Sequence, residues 1–174
     1  MPMGNVWAWP SQSVSVEQSL AAMLDFGHDV VKRAADYSER GHALEIGHDL
    51  AHDHSAIAAD VASRHGLAEP MPRLAQLVAN SPLEAAIHDA EGQALGENSY
   101  NLLGSEHLNR DLSAYLGSQF VGEYLDRYTL REPKPRMPLY HLVGALDPLT
   151  DADATKRIGD GLPETLPEWI AQDG

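Results

Sequence analysis

Residues 81–104 read SPLEAAIHDAEGQALGENSYNLLG, and this segment decides how the rest of the sequence is interpreted. Its first four residues predict a helix start, because serine caps a helix, proline suits the first helical position and Glu84 closes a capping box with Ser81. Gly96 is expected to end the helix, and a short turn over 100–103 ends at Gly104. Apolar side chains at helical spacing predict one packed face, made of Leu83, Ala86, Ile87, Ala90 and Leu95.

The residues before this segment also predict helices. Ser15 is expected to cap one helix, with Gln18 as its capping-box partner, and a second helix is expected over about 55–65. Residues 4–12 contain glycine, proline and tryptophan and are expected to be a loop. Residues 74–78 follow two prolines and are expected to be a short apolar turn. The N-terminal region is therefore predicted to be mostly helical.

The residues after this segment change in character. Three prolines lie within 132–138, and because proline suits neither a helix interior nor a central strand, this stretch predicts a domain boundary. Residues 139–146 (LYHLVGAL) form an apolar run that is typical of a strand buried on both faces. Short helices are expected over 121–130, 153–159 and 165–171. The order predicted is a helical domain, a linker and the start of a β/α unit.

Composition excludes several classes of protein. The formal net charge is −14, which repels phosphate backbones and anionic lipid, so neither nucleic acid nor a membrane surface is expected as a partner. There is no cysteine, so disulfides and thiolate chemistry are excluded. No apolar run approaches the roughly 20 residues that span a bilayer. Residues 1–10 lack the features of a signal peptide, and a cytoplasmic location is expected.

A histidine- and aspartate-rich cluster contains His48, Asp49, His52, Asp53 and His54. His48 and His52 are four residues apart, which on a helix places both imidazoles on one face, a geometry that zinc sites use. No glutamate follows the first histidine, so the general base of a zinc protease is missing, and no cysteine can contribute a ligand. A solvated surface turn is the favoured interpretation, and a zinc site is the alternative.

Other patterns of catalytic chemistry are weak. His88 and Asp89 are adjacent, and because adjacent helical residues point about 100° apart, one buried and one exposed side chain is expected rather than a dyad. The sequence has no Gly-x-Ser-x-Gly, Gly-x-x-x-x-Gly-Lys or Gly-x-Gly-x-x-Gly motif. Trp7 and Trp9 lie close together and must be buried by the rest of the fold or contact a ligand. No catalytic constellation assembles from the residues alone.

The 81–104 segment resembles the helical end of the capping domain in the enolase superfamily. There, a Ser-Pro start leads to Ala-x-x-Asp, then Gly-x-Ala-Leu-Gly, then Tyr-x-Leu-Leu-Gly. The residues at those positions here are Ala86, Asp89, Gly92, Ala94, Leu95, Gly96, Tyr100, Leu102, Leu103 and Gly104. Residues 139–153 and 159–174 are similar to the first barrel strand with its exit loop and to the following helix in the mandelate racemase-like branch.

The resemblance implies an α+β fold class. Residues 1–131 would be a mostly helical portion of an enolase-type capping domain, 132–138 a linker, and 139–174 the first strand and helix of a modified TIM barrel. The family's capping domain begins with strands, and these are not found before residue 4. At the other end, the resemblance extends to Gly174, after which the family's second barrel strand would begin. Both ends of the family's pattern are therefore expected to lie outside this sequence.

The resemblance also implies an activity, namely Mg²⁺-dependent proton abstraction alpha to a carboxylate by a lyase or isomerase. The family's Lys-x-Lys base is absent, since the lysines are Lys32, Lys134 and Lys156, and the Mg²⁺ ligands belong to later strands. This chain would supply the substrate cap, hold no Mg²⁺ itself and contain no catalytic residue. The candidates for substrate contact are Trp7, Trp9 and, at the end of the first barrel strand, Asp147.

The expected partners are the remainder of the barrel, on the same or another chain, and a small carboxylate substrate such as an acid sugar. The complete enzyme is expected to be a homo-oligomer of the dehydratase, racemase or isomerase type. Two other hypotheses stay open from the residues alone. The chain could be a non-catalytic helical binding or scaffold protein, or a metal-binding module that uses His48, His52 and His54.

Overall fold

In a computed structural model of the chain, the described residues are 4–132, 134–138 and 148–173. The chain divides into two compact units, Met1–Glu132 and Pro133–Gly174. The described residues are mostly helical and contain no strand. The predicted strand over 139–146, on which the β part of the α+β prediction depends, lies outside the described residues.

In the described residues of the first unit there are six α-helices and four short 3₁₀ turns. The α-helices are α1 (Gly4–Ala8), α2 (Val16–Ala35), α3 (Ala43–Leu50), α4 (His54–Arg64), α5 (Arg73–Leu95) and α6 (Ser113–Leu116). The 3₁₀ turns are Ala51–Asp53, Ser99–Asn101, Ser118–Phe120 and Leu125–Arg127. The second unit contains α7 (Leu166–Asp173). Helix α1 lies where a loop was expected, and α3 was not predicted.

Helix α2 begins as the sequence indicated. The Ser15 hydroxyl accepts a hydrogen bond from the Gln18 N–H at 3.2 Å, and the Gln18 side chain accepts one from the Ser15 N–H at 3.0 Å. This reciprocal pair satisfies two of the N–H groups that a helix start leaves free, a contribution of about 1 kcal/mol. The capping-box prediction is confirmed.

The core of the first unit lies where α1, α2, α4 and α5 meet. Phe26 of α2 and Val61 of α4 are 0 % exposed, and Ala75 of α5 belongs to the same buried cluster. The remaining buried members of this core are Ala8, Trp9, Val14, Ala22, Met23, Val30, Ala58 and Met71. Fully burying a side chain the size of phenylalanine contributes about 1.5–3 kcal/mol, so these four helices form the stable base of the unit.

The start of α5 differs from the prediction. The helix begins at Arg73, so residues 74–78 form its first turns and Ser81-Pro82 lies inside it, not at its start. Pro82 has no N–H, which leaves the Val78 carbonyl without its usual partner four residues on. The Ser81 hydroxyl donates to that carbonyl at 2.9 Å. The Val78 carbonyl therefore still accepts a hydrogen bond, from a side chain in place of the missing N–H.

The end of α5 agrees with the prediction and has a steric cause. Gly96 adopts the left-handed conformation with φ of 68°, which residues other than glycine rarely adopt. The Glu97 N–H then donates to the Gly92 carbonyl at 3.0 Å. A Cβ atom on Gly92 would lie 2.9 Å from the Glu97 carbonyl oxygen, so this tight reversal requires glycine at both positions.

The apolar face predicted for 81–104 is only partly packed. Leu83 contacts the core, and Ile87 is half-buried. Ala86 and Ala90 are exposed, and Leu95 is 53 % exposed. The second half of α5 therefore leaves these apolar side chains exposed to solvent. Two other predictions are wrong, because 121–130 contains only the short Leu125–Arg127 3₁₀ turn and 153–159 contains no helix. The helix expected over 165–171 is present as α7.

Two buried histidines make the stability of this unit depend on pH. His54 is 0 % exposed against Phe26, and both of its ring nitrogens lack a hydrogen-bond partner among the described residues. Burial, together with the charge of Arg73, lowers the pKa of His54, and burial also lowers the pKa of His42. The unfolded chain therefore binds protons at a higher pH than the folded chain, so stability is lost as pH falls below about 6.5.

We predict that His54→Leu raises the free energy of unfolding by about 1 kcal/mol at pH 7.5, because it removes two unpaired buried polar atoms. At pH 5.5 the advantage should grow by up to a further ~1.4 kcal/mol, since the protonation penalty of His54 is gone. The free energy of unfolding is measured at both pH values by urea titration, with circular dichroism as the signal. Val61→Ala is the matched control, because it weakens the same core and keeps both imidazoles. If His54→Leu lost as much free energy of unfolding as the parent between pH 7.5 and pH 5.5, the prediction would be contradicted.

Candidate functional site

A buried carboxylate organises the polar side of the first unit. Glu45, in the first turn of α3, is 3 % exposed. It accepts hydrogen bonds from Asn109 Nδ2 at 2.8 Å, from the Arg110 N–H at 2.7 Å and from the His42 N–H at 3.0 Å. Burial alone would raise the pKa of Glu45, but these hydrogen bonds outweigh it and lower the pKa. The charged carboxylate therefore holds the loop around Asn109 against α3.

This loop brings Arg110 onto α3. Its guanidinium donates to both carboxylate oxygens of Asp49, at 2.6 Å and 2.8 Å, and the Tyr37 hydroxyl donates to the same carboxylate at 3.1 Å. The Arg110 hydrogen bonds lower the pKa of Asp49 to about 2, so this carboxylate is ionised at neutral pH. None of Glu45, Arg110 and Tyr37 was singled out from the sequence. The signal available was the His42–Glu45 spacing, which is that of a capping box.

A pocket of about 370 Å³ opens between α3, α5 and α6. His48 of α3, His88 of α5 and Tyr115 of α6 contribute its aromatic and polar lining, and leucines such as Leu112 and Leu116 contribute apolar surface. The rings of His48 and Tyr115 meet edge to face with centroids 4.8 Å apart, and burial raises the pKa of Tyr115. His88 is half-buried and Asp89 is exposed, and the two lie adjacent on α5 without forming a dyad.

The histidine cluster separates into two environments. His48, Asp49 and His52 each place one ligand atom within 4.8 Å of the others, at the end of α3 and in the turn that follows. Asp53 is paired with Arg33 at 2.6 Å. His54 points into the core, so it is not available as the third metal ligand that the sequence indicated. The structure places Asp49 in that position instead.

The tryptophans also lie in different environments. Trp7 of α1 is 60 % exposed and lines an apolar groove of about 1000 Å³ between α1, α2 and α5. Trp9 is 3 % exposed in the core, and its Nε1 donates to Glu69 at 2.7 Å. Trp7 is therefore the tryptophan whose ring is open to a ligand. Asp147, the third predicted contact residue, lies outside the described residues.

The Mg²⁺ that the resemblance implies finds no fitting ligand set among the described residues. Mg²⁺ prefers six oxygen ligands in octahedral geometry. Among the described residues, one group of three or more metal-ligating side chains comes together, and it offers two imidazoles and a single carboxylate. This set is suited to a softer ion.

Comparison with known proteins yields no relative. No protein-family model, curated protein or solved structure matches this chain.

Among the described residues, none of the helices is both long enough and apolar enough to cross a membrane.

We predict that Glu45→Gln lowers the free energy of unfolding by about 2 kcal/mol, because three N–H donors lose a charged acceptor. Urea unfolding measures the total effect, and hydrogen exchange at the Arg110 amide reports whether the loop opens locally. Glu97→Gln, which neutralises an exposed glutamate just after the C-cap of α5, is the control and should change stability little. Equal stability of the two variants would show that the Glu45 charge does not hold the loop.

Proposed function

We propose that this chain is the substrate-capping portion of a Mg²⁺-dependent enzyme of the enolase superfamily. The reaction would be proton abstraction alpha to a carboxylate, followed by dehydration, racemisation or isomerisation, with an acid sugar as the candidate substrate. The observation that carries this proposal is the 81–104 segment, in which ten positions follow the family's pattern in order and spacing. The chemistry itself would be performed by residues of the barrel.

Local geometry supports the proposal in one respect. The Gly-x-Ala-Leu-Gly part of the pattern forms the end of α5, where Gly92 and Gly96 are both required by the tight reversal. Leu102, from the Tyr-x-Leu-Leu-Gly part, is 0 % exposed and anchors the chain after that reversal. The residues that define the pattern are therefore those that shape one helix end and its return.

The exposed apolar surfaces also fit a capping portion. The second half of α5 carries the exposed residues Ala86, Ala90 and Leu95, and α1 carries the exposed Trp7. Burying apolar area contributes about 25 cal/mol per Å², so such surfaces favour contact with further protein or with substrate. A cap that closes over a barrel would use surfaces of this kind to exclude water from the reaction.

The proposal is tested by reading the coding sequence beyond codon 174 and expressing the continuous reading frame. We expect a strand with a Lys-x-Lys pair soon after Gly174. The longer protein should catalyse Mg²⁺-dependent exchange of the alpha proton of an acid sugar in D₂O, observed by proton NMR. Chelation by EDTA should abolish the exchange, and added Mg²⁺ should restore it.

The controls separate the proposal from a non-catalytic scaffold. Replacing the second lysine of the expected pair by methionine should remove exchange without changing the circular dichroism spectrum. If the reading frame stops at Gly174, and no barrel-bearing protein co-purifies with the chain, the capping function is refuted. A longer protein that folds but exchanges no alpha proton across a panel of acid sugars would refute the assigned chemistry.

Trp7→Ala tests the capping role within this chain. In the longer protein we expect kcat/KM to fall about tenfold, mainly through a higher KM, because a contact to bound substrate is lost. A tenfold change corresponds to about 1.4 kcal/mol of binding free energy. Stability should change little, since Trp7 is 60 % exposed. Val6→Ala is the matched control, because Val6 is an exposed apolar residue of the same helix, 51 % exposed, and does not line the groove. Equal kinetics of the two variants and the parent would remove Trp7 from the substrate contact.

A further inference from the structure

The end of α3 carries a cluster of metal-ligating side chains that the capping function does not use. Ligand atoms of His48, Asp49 and His52 all lie within 4.8 Å of one another, so small side-chain rotations are enough to bring them to the distances at which ligands share one ion. The rings of His48 and His52 meet edge to face with centroids 5.1 Å apart. This contact places both imidazoles on the same side of the chain, where α3 passes into the 3₁₀ turn Ala51–Asp53.

The hydrogen bonding of His52 leaves one of its nitrogens open to a ligand. Its Nδ1 lies 3.2 Å from the Asp49 carbonyl oxygen, which can only accept, so Nδ1 carries the proton in this contact. The other nitrogen, Nε2, then bears the free lone pair. Metal-ligating histidines usually donate their second N–H to a carbonyl or carboxylate in this way, which orients the ring and raises its basicity.

Asp49 retains one acceptor position. A carboxylate offers about four lone-pair sites. Oδ2 accepts from Tyr37 and from Arg110, whereas Oδ1 accepts from Arg110 alone. One site on Oδ1 therefore remains for a cation, and the Arg110 ion pair keeps the carboxylate in place and ionised.

We propose that His48, Asp49 and His52 bind one divalent transition-metal ion of the zinc class. Two imidazole nitrogens and one carboxylate oxygen suit Zn²⁺, Co²⁺ or Ni²⁺ and are a poor set for Mg²⁺. Three protein ligands leave at least one coordination position for water or another ligand.

The experiment is a titration of the 174-residue chain with Zn²⁺ by isothermal calorimetry, and with Co²⁺ by visible absorption. We expect one equivalent to bind, with d–d bands of Co²⁺ that report nitrogen and oxygen ligands. His48→Ala, His52→Ala and Asp49→Asn should each weaken binding at least tenfold. His28→Ala is the matched control, because it removes an exposed histidine of α2 that is not in the cluster, and it should leave affinity unchanged. Mg²⁺ should not compete.

Thermal unfolding keeps the test independent of folding defects in the variants. Saturating Zn²⁺ should raise Tm in the parent and in His28→Ala, and should not do so in His52→Ala, since only a folded site gains from binding. Circular dichroism without metal shows whether each variant is folded. Binding of the same affinity and stoichiometry in His52→Ala and the parent would overturn the proposal, as would the absence of a one-to-one complex in the parent.

Discussion

The carboxylate of Glu45 holds together the polar side of this protein. It is nearly fully buried, and a buried charge is stable only when hydrogen bonds replace the water it has lost. Its donors come from the cap of α3 and from the loop at Asn109 and Arg110, which is 64 and 65 residues further along the chain. By fixing that loop, it determines where the Arg110 guanidinium reaches Asp49.

The consequences extend to the pocket and the metal cluster. Arg110 keeps Asp49 ionised and oriented beside His48 and His52. The same loop leads into α6, which carries Tyr115 to the ring of His48. A single buried charge thus positions residues from three separate parts of the sequence. Loss of that charge should disturb all of them together, whereas the apolar core on the other side depends on separate contacts around Phe26.

Helix α5 connects the two sides. Its first half packs into the core, and its second half lines the pocket through His88 while leaving an apolar surface exposed. The helix is continuous through Pro82, and the Ser81 hydroxyl donates to the Val78 carbonyl that proline leaves without its usual donor. The Ser-Pro pair that predicted a helix start therefore lies inside a longer helix. Of the ten residues in common with the enolase pattern, five lie in the second half of α5 and the other five follow its end.

The sequence by itself determined the local features that depend on neighbouring residues. The Ser15 cap with Gln18 and the stop at Gly96 needed only short-range hydrogen bonds and the backbone freedom of glycine. The resemblance over 81–104 likewise depends only on the order and spacing of residues along the chain. Only the tertiary structure decided that Trp9 is buried while Trp7 is open, and that Asp49 rather than His54 joins His48 and His52. Those outcomes depend on contacts between residues far apart in the chain, which neither periodicity nor spacing records.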